Sequence, residues 1–136
     1  MGAWGVGPFD NDDALDVVEA ISVRGDEVLD DVFLSALDNE YMEAPAGSAA
    51  VAASRLLLAK LVGESFDEPS VMRALAKISS RAANLNIPKA IEATTAVLKE
   101  KSELFELWSD AGEQDFAEWK RQTTRIVDRL TNLGQE

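Results

Sequence analysis

Carboxylates are the groups in this chain whose types and spacing could do chemistry. Asp10, Asp12, Asp13 and Asp16 fall within seven positions, and they offer the oxygen-only ligand set that hard cations such as Ca²⁺ and Mg²⁺ take. Asp12 and Asp16 stand four apart and would share a helix face. The EF-hand pattern is missing, since no glycine follows at the sixth position and no Glu at the twelfth. Helix capping accounts for Asp10 and its neighbours without a ligand. A second set, Glu40-x-x-Glu43 and Glu64-x-x-Asp67, pairs acids three apart, a spacing that lets two helices hold one Mg²⁺ between them. Glu64 and Asp67 lie between Gly63 and Pro69, a context that reads as loop. Ser102, Ser109, Thr123 and Thr124 are hydroxyls with no imidazole to activate them, because the chain has no histidine.

The missing residue types narrow the function classes. Without cysteine there is no disulfide, thiolate nucleophile or Cys-based metal site. Without histidine there is no Ser-His-Asp or Cys-His apparatus and no imidazole pH switch. No uninterrupted apolar run reaches the roughly 18 residues of a membrane span. The opening has no secretory pattern, and Val6 stands where myristoylation needs Ser or Thr. These features lead us to expect a cytoplasmic protein.

Charge is the clearest functional signal. The net charge is −12, and residues 1–43 hold twelve acids against one base, Arg24. Residues 44–99 carry +3 and residues 100–136 carry −4. An acidic lobe of this kind repels nucleic acid and anionic lipid and attracts a basic partner. The expectation is a small acidic binding module for a basic protein, with no nucleic acid, membrane or cofactor involved. An immunity-type protein, which occludes a basic toxin or nuclease, fits that size and charge. The candidate contact residues are Trp4, Phe9, Asn11, Asp12, Asp13 and Asp16, in and just after the glycine-rich opening.

That opening, Met1-Gly2-x-Trp4-Gly5-x-Gly7-x-Phe9 followed by Asn11-Asp12-x-Ala14-x-Asp16, resembles the signature of a bacterial family catalogued as domain of unknown function 4259. Ser102-x-Leu104-x-x-Leu107-Trp108 resembles a second segment of that family, and the alanine-rich stretch after Tyr41 also fits. The resemblance spans nearly the whole chain and implies a fold but no activity. The Glu40, Glu43, Glu64, Asp67 set separately resembles the carboxylate motif of all-α nucleoside triphosphate pyrophosphohydrolases, and implies a Mg²⁺-dependent hydrolase as the rival function. The glycines of the opening do not form a phosphate loop, because no strand precedes them and no Gly-Lys-Ser/Thr follows.

The elements that must position these groups all read as helices. Apolar residues recur every three or four positions, with no alternating strand pattern and no Asn-Gly or Asp-Gly hairpin turn. The first helix should begin near Asp10 or Asn11 and bury Ala14, Leu15, Val18 and Ile21. Gly25-Asp26 separates it from a second helix, whose stripe runs from Val28 to Tyr41. Ala44-Pro45 and Gly47-Ser48 mark a turn into a third helix over residues 49–62, apolar on nearly every side and so expected at the centre of the domain. Further helices are expected over residues 70–82, from Pro88 with Ile91, Thr95 and Leu98 inward, from Ser102 through Trp108, and over residues 114–132. The last carries the stripe Phe116, Trp119, Thr123, Ile126, Val127, Leu130 and Leu133. The whole predicts an all-α, compact single domain over residues 1–136, with about six or seven helices around a central apolar one.

Overall fold

In the computed structural model, which describes residues 5–134, the chain forms eight α-helices and no strand among the described residues. They are α1 (Asp12–Arg24), α2 (Asp26–Leu37), α3 (Ala44–Val62), α4 (Pro69–Lys77), α5 (Ser80–Leu85), α6 (Ile87–Val97), α7 (Glu103–Asp110) and α8 (Glu113–Gly134). The array is compact and all-α, with one or two more helices than the sequence suggested.

Helix α3 is its axis and packs against every other helix. Ala50, Ala52, Ala53 and Ala59 are fully buried along it, and their small side chains let neighbours approach closely. It has the length and apolarity of a membrane span by those criteria alone, but here that surface is covered by the other helices. A helix apolar all round is either central or membrane-embedded, and in this fold it is central. A buried polar tie on it is Ser54, whose hydroxyl lies 2.8 Å from that of Thr94 on α6, with both side chains fully buried.

Helix α3 begins at Ala44, five residues before the expected start. Pro45 sits in its first turn, where the missing N–H is no loss, and Gly47 and Ser48 are helical and buried rather than a turn. The expected helix over residues 70–82 is two helices. Ile78 leaves helical geometry and Ser79 caps α5, its hydroxyl accepting from the Ala82 N–H. Asp26 of α2 fixes this corner by accepting from both the backbone N–H and the hydroxyl of Ser79, each at 2.8 Å. Tyr41 lies beyond α2 and is exposed, while Met42 next to it is buried. On α6 the inward hydroxyl is Thr94, not Thr95.

The α2–α3 connection is stitched to the start of α7. The Met42 N–H donates to the Lys101 carbonyl (2.9 Å) and the Glu103 N–H donates to the Met42 carbonyl (2.8 Å). The Glu103 carboxylate then accepts from the Ala44 N–H at 2.7 Å, satisfying a free amide at the start of α3.

Candidate functional site

The opening folds into a turn around one carboxylate. Asp10 Oδ2 accepts from the Gly7 N–H at 3.0 Å, and a Cβ at either Gly5 or Gly7 would come within 2.6 Å of that oxygen. Gly5 and Gly7 therefore leave room for the Asp10 carboxylate where it lies. Asn11 caps α1, its Oδ1 accepting from the Ala14 N–H at 2.8 Å. Asp12 and Asp13 occupy the first helical turn, where negative charge is favoured by the helix dipole. Asp12 and Asp16 are exposed and Asp13 is half-buried. Phe9 is half-buried and meets Phe66 edge-on, with ring centroids 5.9 Å apart. Trp4 lies outside the described residues.

The two segments that carry the family resemblance meet in space. Val6, Gly7 and Pro8 line a gap of about 20 Å³ together with Leu104, Trp108 and Trp119, room for one water molecule at most. Trp108 stacks on Trp119 with centroids 6.2 Å apart and planes 16° from parallel. Ser102 is fully buried and caps α7 by accepting from the Phe105 N–H. These segments hold the C-terminal helices to the opening.

The rival carboxylate set is not brought together. Glu40 and Glu43 lie in the α2–α3 connection, and Glu64 and Asp67 in the α3–α4 connection. Neither pair therefore has the helical phase that would aim two carboxylates at one ion. Glu40 is exposed, 3.8 Å from Lys101. Glu64 is bound instead by Arg55, both guanidinium nitrogens reaching its two oxygens at 2.7 Å. Among the described residues no three acids form a group that could hold a metal ion.

Arg55 and Glu64 belong to a cleft that the sequence reading missed. It has a volume of about 410 Å³ and lies between α3 and α8, roofed by Pro8 of the opening. Arg121, Arg125 and Arg129 of α8, four residues apart, line it, and Arg121 and Arg125 also border the neighbouring hollow that holds Asp128. The Arg55 guanidinium also lies 5.2 Å from the centre of the Phe66 ring, a cation–π contact that fixes it further. Hydrogen bonding from Arg55 holds the Glu64 carboxyl below its ordinary range, against some burial and with help from Arg129 and Arg125. A lowered folded value means the pair's stabilisation is present above the unfolded carboxylate pKa and is lost as pH falls through the folded one. Chemical denaturation should show a stability gap between wild type and Arg55→Gln at neutral pH that narrows in acid. A gap independent of pH would mean Arg55 acts through packing on Phe66 alone.

A larger open groove of about 710 Å³ runs beside the α2–α3 connection, with Leu37, Met42, Leu98 and Phe105 in its walls and lysines at its edge.

The comparison with family models decides the relationship. The model described as Domain of unknown function (DUF4259) matches residues 2–122. The chain belongs to the DUF4259 family. No curated protein and no solved structure matches it. The match takes in both signature segments and ends inside α8 just after Arg121, so Arg125 and Arg129 lie beyond the DUF4259 match.

Proposed function

We propose that the protein is a non-enzymatic binding module whose α1–α2 face docks a basic protein, an immunity-type protein being the specific form. The observation that carries this reading is the makeup of the exposed stripes. Helix α1 turns Asp12, Leu15, Asp16, Glu19 and Val23 to solvent, and α2 turns out Glu27, Asp30, Asp31 and Leu34. Val23 is 70% and Leu34 57% exposed. Acids alone would keep a face hydrated, whereas acids interspersed with large apolar side chains offer both steering charge and area to bury. The one base in this region, Arg24, is engaged by Glu27 and Asp31 at 2.6 and 3.2 Å, so the face stays negative.

The test is affinity capture from native lysate, followed by kinetics on the captured protein. The partner should be basic, and its association should slow as salt rises, since screening at about 0.15 M limits charge interactions to roughly 8 Å. Changing Asp12, Asp13 and Asp16 together to Asn should slow association more than it speeds dissociation. Circular dichroism must show the variant folded, because two of these acids stabilise the start of α1. A partner that binds the folded triple variant with unchanged rate and unchanged salt dependence would leave these acids a role in solubility only.

A further inference from the structure

We propose that the arginine cleft between α3 and α8 binds a phosphate dianion, free or as the monoester of a small molecule. Four guanidiniums and two carboxylates, Glu64 and Glu118, line the cleft, an excess of two positive charges in its walls within a chain of net −12. The distribution of partners shows which arginines are available. Arg55 takes both oxygens of Glu64, and Arg121 takes Glu118 at 2.6 Å. Arg129 reaches Glu64 only at 3.7 Å, beyond hydrogen-bond distance. Arg125 has no ion-pair partner among the described residues. Like charges four apart on a helix repel, and a bound anion between Arg125 and Arg129 removes that repulsion.

The charge count selects the ligand class. A carboxylate would neutralise half the excess and a phosphate dianion all of it, and the guanidinium fork matches phosphate oxygens two at a time. One wall is already set, since Arg55 is held by Glu64 and by the Phe66 ring. The volume exceeds that of phosphate and falls within the range of small-molecule sites. Leu58 and Ile126 in the lining give the body of an ester an apolar neighbour. A nucleic acid strand does not suit the site, because the rest of the chain repels a polyanion.

The experiment is calorimetric titration of the full chain at fixed ionic strength with inorganic phosphate, phenyl phosphate and succinate in separate arms. Phosphate should saturate one site, and succinate, a dianion of different shape, should bind at least about tenfold more weakly. Tighter binding of phenyl phosphate than of phosphate identifies a monoester as the fitting ligand, and the reverse identifies the free ion. Arg125→Gln and Arg129→Gln should each weaken phosphate by about tenfold or more, the loss expected for a charge-assisted hydrogen bond. Glu118→Gln should tighten it by removing a competing charge, a gain that damage to the fold would not produce. Arg73→Gln, on α4 outside the cleft, should change nothing. The proposal is overturned if phosphate does not saturate in the millimolar range, if succinate matches it, or if Arg73→Gln is as harmful as Arg125→Gln.

Discussion

Replacing Trp119 with alanine should cost about 3–5 kcal/mol of folding stability, the range for truncating a large buried aromatic. Trp119 is 4% exposed. Its ring stacks with both Trp108 and Phe116, each with centroids 6.2 Å away, and Phe116 meets Phe105 edge-on at 5.3 Å. Removing this ring therefore loses its own burial and the support of two others. A small domain has about 5–15 kcal/mol in all, so the variant should sit near the edge of folding. Because Trp119 also borders Val6, Gly7 and Pro8, amide hydrogen exchange in the opening should speed up together with exchange in α7. Urea denaturation measures the first effect, and Trp119→Phe should recover much of it. A loss below about 1 kcal/mol would show that the site refills readily and that the aromatic stack does not secure the C-terminal helices.

How far the sequence reveals this fold depends on whether a helix end or face is decided locally. Asn11 caps α1 with its own side chain and Ser102 caps α7 likewise, so both starts are legible. The α8 stripe is also legible, since Trp119, Thr123, Ile126 and Leu130 are buried at spacings of three and four. The start of α3 is not, because a helix apolar on all sides has no period to mark where it begins. The break at Ile78–Ser79 is hidden for another reason. Ser79 is an ordinary-looking serine, and the Asp26 carboxylate that holds its N–H and hydroxyl is 53 residues away in the chain. Tertiary contact overrides propensity there.

The site was legible in a different measure. The acids of residues 1–43 are visible in the composition, and Asp12 and Asp16 do face solvent. The arginine cleft escaped because charge counted by segment gives residues 100–136 a net of −4, and a segment total mixes faces. The usable signal was the four-residue spacing of Arg121, Arg125 and Arg129, which places them on one side of any helix. The arrival of Arg55 from α3 opposite them has no sequence signature. The rival Glu40, Glu43, Glu64, Asp67 set fails for the converse reason, since spacing of three unites carboxylates only on a helix and both pairs lie in connections, as Gly63 and Pro69 indicate in the sequence for the second pair.

Gly25→Ala should cost about 2–4 kcal/mol, well above the cost of Gly63→Ala, although both glycines have positive φ. Gly63 sits at φ 74°, ψ 32°, with nothing within 4 Å of a Cβ, so alanine there meets only the left-handed penalty of about 1–2 kcal/mol. Gly25 sits at φ 67°, ψ −134°, a region nearly closed to residues with a side chain. Its Cβ would also stand 2.9 Å from the Lys77 carbonyl oxygen. That oxygen is backbone and cannot swing aside, so the corner between α1 and α2 must lift from the end of α4. Lifting it pulls Asp26 away from Ser79, adding the loss of two hydrogen bonds made by a charged group. Paired denaturation curves for the two variants check this, and equal costs would show that the α1–α2 corner moves freely against α4. The same corner sets the angle between the two acidic stripes without contributing charge to either. A Gly25→Ala protein that still folds should therefore bind a basic partner more weakly while keeping the salt dependence of its association, a combination that separates the shape of the face from its charge.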